Sequence, residues 1–206
     1  MIRCFIGKSG SGKNYWCNKN KDAGLTLIVP YTTRPKRPNE VDSVDYHFVS
    51  DDLFDEMEAS GRFLETRSYD VCTGSSYVSE EAPLSQKGVW RYATPKIDDL
   101  SKDYCLVCTI PVCHALIEEY GHENVEVCFV ECDLFVRENR VQARGTMLDA
   151  EWERRKIQDD IDFSSVNLKN LLFALHHPIE VIHNSNDKPT FSKLVKVQDG
   201  WMERDQ

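Results

Sequence analysis

The sequence lacks a long apolar run, because no segment approaches the roughly 20 apolar residues that a membrane-spanning helix needs. It also lacks the charged and apolar regions of a secretory signal, since Met1 to Gly7 lead directly into a strand-like segment. Positive charge is scarce as well, and the formal net charge is -9. We therefore expect a cytoplasmic protein without nucleic-acid or membrane partners, which meets any anion with a local cluster of cations.

Disulfide bonds are not expected either, although the chain has eight cysteines. Four of them lie in apolar strand-like runs: Cys4, Cys105, Cys108 and Cys128. Because we expect no export signal, we do not expect these thiols to be oxidised. Cys105 and Cys108 form a C-x-x-C pair, but no second pair follows at the spacing of a zinc site. We favour reduced, buried thiols over a cysteine metal site. The histidines show neither ligand spacing nor a partnered nucleophile.

The pattern of apolar segments predicts an α/β fold. At 206 residues and 41% apolar composition, the chain can bury the core of one globular domain. Five segments predict buried strands: Ile2–Ile6, Leu25–Val29, Tyr104–Ile110, Val125–Val130 and Ile179–His183. Helices are predicted at 13–22, 112–120, 134–144, 149–163, 165–175 and 190–198. This alternation predicts a parallel sheet covered by helices on both faces.

Residues 31–95 interrupt the alternation between the second and third predicted strands. The segment contains Pro35, Pro38, Asp-rich turns and short aromatic strands such as Tyr46–Val49, which predict an inserted, mostly antiparallel lobe. Within it, residues 70–88 carry Gly, Ser and Pro and little periodicity. They predict a long loop or an extended hairpin tip.

A glycine-rich segment, GKSGSGKN, lies between the first predicted strand and a predicted helix, which is the context of a phosphate-binding P-loop. Glycines let backbone N–H groups point at phosphate oxygens, the helix N-terminus adds partial positive charge, and Lys13 reaches the β and γ phosphates of ATP. The predicted ATP-binding residues are Gly7, Lys8, Ser9, Gly10, Ser11, Gly12, Lys13 and Asn14.

The residue after the lysine departs from the usual pattern. Asn14 stands where a Ser or Thr normally places its hydroxyl on Mg²⁺. An amide oxygen can also bind magnesium, so Asn14 is the candidate metal ligand. The departure weakens the prediction of efficient catalysis.

A second group of cations lies in the segment Tyr31–Pro38, which on its own is more typical of a solvated basic loop. The stretch TTRPKRPNEVDSVDYHFVS, however, resembles the acceptor-site signature of guanylate kinases. RFLETRSY and RYATPK resemble the next two elements of that family, in the same order. Together with the P-loop, the resemblance covers most of the chain.

The resemblance implies a site for the phosphate of GMP. By matching position, Arg34, Arg37, Tyr46 and Tyr92 would hold this phosphate, and Thr94 keeps the hydroxyl of the family's Y-G-[ST] element. The residue types agree with that role. Arginine binds phosphate bidentately, and tyrosine hydroxyls add neutral donors at a fixed reach.

Glu65, in the sequence Phe63-Leu64-Glu65, matches the family glutamate that recognises guanine. A carboxylate offers two acceptors to the N1–H and N2–H₂ donors of guanine, whereas the N1 of adenine is itself an acceptor. Glu65 therefore predicts a guanine base, and unpaired buried groups would reject a wrong one strongly. An exposed strand glutamate is the alternative interpretation.

Four features depart from the family pattern. The stretch from Asp70 to Gly88 is longer than the usual hairpin tip. Tyr31 stands where the family usually has serine, and Ala93 replaces the glycine of Y-G-[ST]. The third predicted strand, in CLVCTIP, lacks the aspartates of the family's LDID-like run, which support magnesium and the acceptor. The last departure bears most directly on catalysis.

Arginines recur after the fourth predicted strand. Arg137, Arg140 and Arg144 would lie on one face of a helix, where like charges repel unless an anion binds between them. The stretch RVQARGTMLDAEWERR resembles the guanylate kinase lid, which implies catalytic roles on the ATP phosphates for Arg140, Arg144 and Arg155. A solvated helix with glutamate partners is the alternative. Asn184 matches a family asparagine near the adenine, although a strand-ending turn has the same composition.

We predict one domain, residues 1–206, with a core similar to P-loop NTP hydrolases (1–29, 98–136 and 158–206), a GMP-binding lobe (30–97) and a helical lid (137–157). The predicted activity is phosphoryl transfer from ATP to GMP by a monomer or dimer, with Mg²⁺ as cofactor and Lys13 as a catalytic residue. A kinase for another acceptor, such as a sugar phosphate, and a non-catalytic binding module remain open.

Overall fold

A computed structural model of the chain describes residues 1–38, 40–70, 89–144, 149–197 and 200–205. The chain divides into two compact units, Met1–Leu27 with Leu100–Gln206, and Ile28–Asp99. The assignment to one domain with a core, a lobe and a lid stays a prediction. Most of the predicted 70–88 loop lies outside the described residues, as do residues 145–148 of the predicted lid.

The described residues include eleven strands and six α-helices. The strands are β1 (Ile2–Ile6), β2 (Thr26–Leu27), β3 (Tyr31–Thr32), β4 (His47–Phe48), β5 (Phe63–Asp70), β6 (Val89–Pro95), β7 (Tyr104–Val107), β8 (Val125–Glu131), β9 (Ile179–His183), β10 (Thr190–Val197) and β11 (Gly200–Asp205). The helices are α1 (Lys13–Asp22), α2 (Asp51–Ala59), α3 (Ile110–Tyr120), α4 (Leu134–Arg144), α5 (Asp149–Asp162) and α6 (Ser165–Leu175). None of the helices in these described ranges has both the length and the apolar composition needed to span a membrane.

The first unit is built on a seven-stranded sheet of order β11-β10-β9-β8-β1-β7-β2. Pairing is parallel from β9 to β2 and antiparallel at β10 and β11. The central strand β1 buries Ile2, Cys4, Phe5 and Ile6, because a strand covered on both faces needs apolar residues at successive positions. The predicted α/β fold with a parallel sheet is therefore confirmed.

The helix predicted at 190–198 is wrong, because this segment forms strand β10, paired antiparallel to β9 and β11. Its side chains alternate, with Ser192 and Leu194 buried and Phe191 and Lys193 exposed. A period of two and several β-branched residues favour a strand over a helix. The hairpin of β10 and β11 thus ends the sheet with antiparallel strands.

The second unit contains a four-stranded sheet of order β4-β3-β6-β5 and the helix α2, which was not predicted. Two of its three strand pairings are antiparallel, as predicted for the lobe. Ser50 caps α2 by accepting a hydrogen bond from the backbone N–H of Leu53. A bulge between Phe63 and Glu65 turns these two residues to opposite faces of the sheet, and Phe63 packs against Phe54 of α2.

Candidate functional site

The predicted P-loop connects β1 to α1 at the carboxyl edge of the parallel strands. Gly7 and Gly12 have φ angles of 145° and 100°, a region that residues with a Cβ rarely adopt. A Cβ added at Gly12 would lie 2.4 Å from Nδ2 of Asn184. One added at Gly7 would lie 2.4 Å from the carbonyl oxygen of Val130. Backbone shape and close packing therefore both require glycine here.

The ammonium group of Lys13 lies against the backbone of this loop. Its Nζ donates to the carbonyl oxygens of Gly7 at 2.6 Å and Lys8 at 3.0 Å. Burial lowers the pKa of Lys13 to about 8. The charge of Asp159 opposes this shift, whereas the charges of two nearby arginines add to it. A phosphate bound beside Lys13 would stabilise its charged form, so the lysine is suited to an anionic ligand.

Helix α4 contacts the same loop through two arginines, which lie on one helix face as predicted. Nη1 of Arg137 donates to the carbonyl oxygen of Ser9 at 3.2 Å. Arg140 donates through Nη1 to the carbonyl oxygen of Ser11 at 3.2 Å and through Nη2 to that of Asn184 at 2.9 Å. These contacts hold the loop to the end of β9, while the catalytic role of Arg140 stays a prediction.

The remaining residues predicted to bind ATP differ in how they contact the loop. Nδ2 of Asn184 donates to the carbonyl oxygen of Ser11 at 2.8 Å, and Asn14 is exposed in the first turn of α1. The hydroxyl of Ser11 is buried without a hydrogen-bond partner among the described residues. Arg155 is partly buried on α5, and the side chain of Arg144 lies outside the described part of the structure. The ATP-binding and catalytic roles of all these residues stay predictions.

An acidic residue of α5, which the sequence analysis missed, occupies part of the P-loop. Asp159 accepts hydrogen bonds from the backbone N–H of Ser9 at 2.7 Å and from its hydroxyl at 3.2 Å, and lies 3.5 Å from Arg137. Burial raises the pKa of the Asp159 carboxyl. The next residue, Asp160, pairs with Lys8 at 2.5 Å. A carboxylate of the chain thus binds a loop amide that a phosphate would otherwise meet.

In the second unit, strand register places the predicted acceptor residues on one face of the sheet. Glu65 on β5 lies opposite Thr94 on β6, and Arg67 lies opposite Tyr92. Directly opposed residues of an antiparallel pair share a face, and so do residues two apart along a strand. The intervening Ala93 faces the other way, into the cluster covered by α2. One face is therefore structural, and the other carries polar side chains.

Both predicted phosphate-binding arginines meet the same carboxylate, Glu40. Arg34, only 2% exposed, donates to its two oxygens at 2.7 and 2.9 Å. The backbone N–H of Arg37 donates to Glu40 at 2.9 Å. Burial opposes ionisation of Glu40, but these hydrogen bonds and charges outweigh it and lower its pKa. The guanidinium of Arg34 also lies 5.3 Å from the ring of Tyr46 and 5.5 Å from that of Phe48.

Two tyrosines and the predicted base-recognising glutamate complete this face. The rings of Tyr46 and Tyr92 are 5.9 Å apart, and burial raises the pKa of Tyr46, so its hydroxyl remains a donor. Glu65 accepts a hydrogen bond from the hydroxyl of Thr94 at 2.8 Å and pairs with Nε of Arg67 at 3.1 Å. The hydrogen bond from Thr94 and the charge of Arg67 favour one orientation of this carboxylate, which is 14% exposed.

Three residues of these sites were missed by the sequence analysis: Glu40, Arg67 and Asp159. Glu40 follows Arg37 by three residues in a non-helical segment, and this closeness in sequence could have indicated a local ion pair. Arg67 follows Glu65 by two residues, on the same face of a strand. Asp159 had no such signal, because an acidic residue on a charged helix is usually solvated.

Comparison with known proteins gives consistent matches. A family model described as guanylate kinase matches residues 4–84. A guanylate kinase from Clostridioides difficile is 32% identical over 162 residues, which cover 75% of this chain and 70% of that protein. One from Sphingopyxis alaskensis is 32% identical over 143 residues, covering 68% of this chain and 59% of that protein. One from Rhodopseudomonas palustris is 45% identical over 80 residues, covering 37% and 36%.

Among solved structures, the crystal structure of guanylate kinase from Anaplasma phagocytophilum matches with a TM-score of 0.47 and 18% identity, over 84% of this chain and 85% of that one. The matched sequence spans less than two thirds of the Sphingopyxis and Rhodopseudomonas proteins. The Clostridioides match, at 32% identity, extends over 70% of that relative. Because the Clostridioides relative is 32% identical over 70% of its length, the chain belongs to the guanylate kinase family.

Proposed function

We propose that the protein transfers the terminal phosphoryl group of ATP to GMP. The observation that carries the proposal is the polar face of the second unit, where a fixed carboxylate, Glu65, lies on the same sheet face as Tyr92. In the same unit, Arg34 lies beside Tyr46, and Arg37 shares the carboxylate of Glu40 with Arg34. A carboxylate for a base and cations with tyrosines for a phosphate are the two requirements of a guanine nucleotide site.

Glu65 would accept hydrogen bonds from N1–H and N2–H₂ of guanine. The hydrogen bond from Thr94 and the charge of Arg67 favour one orientation of its carboxylate, so less side-chain entropy is lost when the base binds. Adenine presents an acceptor at N1, which a carboxylate repels. Selectivity for guanine would thus come from the unpaired buried groups that the wrong base leaves behind.

The phosphate of GMP would bind to Arg34 and Arg37 with hydroxyls from Tyr46 and Tyr92. Because Glu40 already binds both arginines, it orients their donors and leaves only part of their charge for the ligand. The phosphate oxygen of GMP then attacks the γ phosphorus of ATP, the bond to the bridging oxygen breaks, and ADP leaves. The acceptor is already an anion, so no general base is needed.

On the ATP side, the P-loop and Lys13 would hold the β and γ phosphates, and Arg140, Arg144 and Arg155 would stabilise charge during transfer. Mg²⁺ bound to the nucleotide neutralises phosphate charge. Asn14 is the residue of the chain that would help to hold it, since it is exposed at the start of α1 and an amide oxygen can bind magnesium. The adenine contact of Asn184, the cytoplasmic location and the monomeric or dimeric state are further predictions.

A non-catalytic binding module is the second candidate. It is favoured by the segment CLVCTIP around the end of β7, which contains no aspartate or glutamate, and by Asp159 on the P-loop amide of Ser9. A kinase for a sugar phosphate would not need Glu65 in a fixed orientation.

An assay of ADP release with ATP and Mg²⁺ separates these candidates. The acceptors to be compared are GMP, dGMP, AMP, UMP and a set of sugar phosphates. Turnover that depends on a guanine nucleotide is the expected result. Release of ADP with a sugar phosphate alone would reject the proposal, and so would nucleotide binding without turnover of any acceptor.

A further inference from the structure

Three buried cysteines converge in the first unit, and the proposed function uses none of them. Cys4 lies on β1, Cys108 follows the end of β7, and Cys113 lies in the first turn of α3. The three sulfur atoms lie within 4.8 Å of one another, and those of Cys108 and Cys113 are 3.6 Å apart. The structure thus groups a different set from the C-x-x-C pair, Cys105 and Cys108, for which the sequence analysis favoured buried thiols over a metal site.

The topology of the sheet explains why these sulfurs meet. Strands β1 and β7 are parallel, with Cys4 opposite Leu106, so Cys108, two residues beyond Leu106, follows on the same side. Thr109 then caps α3, and the backbone N–H of Cys113 bonds to its carbonyl oxygen. The first turn of α3 therefore brings Cys113 back beside Cys4 and Cys108.

The size of this triangle fits one ion bound by three sulfurs. A planar trigonal ion with thiolates at about 2.3 Å would place them about 4.0 Å apart, whereas a trivalent centre with a lone pair binds them in a pyramid, about 3.4 Å apart. The 3.6 Å separation of Cys108 and Cys113 lies between these two values, and 4.8 Å is the upper limit for the group. Small rotations of the side chains would complete the site. Thiolate ligands select soft, thiophilic ions.

Burial decides which ion suits these ligands. Cys4 and Cys113 are fully buried, and Cys108 is 7% exposed. Three thiolates carry three negative charges, so a divalent ion would leave one uncompensated charge in the core and monovalent copper would leave two. Such charges are costly in an apolar environment. A trivalent ion leaves none.

We propose that Cys4, Cys108 and Cys113 form a binding site for a trivalent thiophilic metalloid, represented by arsenic. Arsenous acid would react with the three thiols. Three As–O bonds break, three As–S bonds form, and each thiol proton leaves with a hydroxide as water. Arsenic remains trivalent, so no oxidant or reductant is required, and the site is neutral before and after. The bound arsenic would link β1, the end of β7 and α3.

Native mass spectrometry of the full chain with arsenite tests this proposal. The protein is kept reduced with a phosphine, and Cys72 is replaced by serine so that it cannot contribute a sulfur. A three-sulfur adduct gains one arsenic and loses three hydrogens, whereas a two-sulfur adduct keeps a hydroxyl group. We expect the three-sulfur adduct and a Tm that rises with arsenite concentration. Zn²⁺ should require about tenfold more ligand for equal occupancy, because it leaves a buried charge.

Matched cysteine variants locate the site. Cys113→Ser should give only the hydroxyl-bearing adduct, with affinity reduced about tenfold or more because one bond is lost. Cys128→Ser is the control, because Cys128 is also buried but bonds to Glu180. It should behave like the parent protein. A hydroxyl-bearing adduct in the parent, equal loss in both variants, no adduct at all, or tighter binding of Zn²⁺ would each overturn the proposal.

Discussion

The two units hold their predicted phosphate-binding cations in different ways. In the second unit, Arg34 is buried in a bidentate ion pair with Glu40. In the first, Lys13 donates to neutral carbonyl oxygens of the P-loop, and burial lowers its pKa. One cation is already neutralised by the chain, whereas the other is destabilised by its surroundings. Removing the first should damage the fold, whereas removing the second should damage chiefly the binding of phosphate.

Replacement of Lys13 should have the largest effect on activity. We expect Lys13→Met to lower kcat/KM about 10³-fold, because a positioned charge on the transferred phosphate is lost. Its free energy of unfolding should not fall, since a partly buried charge with a lowered pKa is removed. The exposed residue Lys19 on the same helix supplies the control, and Lys19→Met should leave the ADP-release rate unchanged. A rate for Lys13→Met within a few-fold of the parent would contradict the P-loop assignment.

Replacement of Arg34 should instead destabilise the protein. Arg34→Ala leaves the carboxylate of Glu40 partly buried and without its main partner, which should cost about 3 kcal/mol in urea unfolding. The double variant Arg34→Ala/Glu40→Ala should recover part of that loss. If Arg34→Ala and Lys13→Met changed stability equally, the contrast between the units would disappear.

Glu65→Gln should weaken GMP binding about 30-fold, because the new amide group faces a donor of guanine and a charge-assisted hydrogen bond is lost. Binding of ATP should change less than about twofold. Isothermal titration with each nucleotide measures both effects. The exposed residue Glu56 on α2 provides the matched control, Glu56→Gln. An equal loss for the two nucleotides would refute base recognition by Glu65.

ATP affinity should depend on pH through Lys13. Its folded pKa of about 8 lies below the ordinary value of 10.5, so the free folded protein loses this proton as pH rises through 8. ATP favours the charged form, and its affinity should fall up to about tenfold per pH unit above 8. Between pH 8 and 10.5 the unfolded chain binds this proton more than the folded protein does. The contribution of Lys13 to the free energy of unfolding therefore rises with pH over this range. Lys13→Arg should remove the pH dependence; a slope retained in this variant would assign it to another group.

The smallest effect is expected at Asp159. Asp159→Asn keeps an acceptor for the N–H of Ser9 but removes a negative charge from the P-loop, so ATP should bind about fivefold more tightly, or roughly 1 kcal/mol. Asp160→Asn, at an exposed position beside Lys8, should change the Kd less. Weaker ATP binding by Asp159→Asn would mean that the carboxylate supports the nucleotide instead of competing with it.

Elements with two independent signals could be predicted from the sequence, and elements with ambiguous signals could not. Helix α6 combines the cap Ser164 with buried leucines at 168, 171, 172 and 175, and it begins and ends where predicted. The segment 190–198 has strand-like alternation, but it was assigned as a helix. Helix α2 was missed because the Asp-rich segments of residues 31–95 were interpreted as turns, although Ser50, before Asp51, is a typical N-cap.

In the candidate site, motifs predicted residue types but not the partners that hold them. Arg34 and Tyr46 lie together, as the acceptor signature implied. Their shared environment includes Glu40, and the P-loop includes Asp159, neither of which the motifs singled out. An acidic residue that binds a cation within the chain cannot be distinguished by composition from one in solvent. Only the three-dimensional arrangement separates them.

The contacts of Arg140 have a consequence for how the sequence can vary. This side chain bonds the main-chain oxygens of Ser11 and Asn184, so its anchorage is indifferent to which side chains those two positions carry. Ser11 could therefore be exchanged for alanine without loosening α4 from the loop. A lysine in place of Arg140 has one nitrogen and cannot span both oxygens in the same way. Retention of this arginine therefore preserves the link between α4 and the loop when the side chain of Ser11 changes.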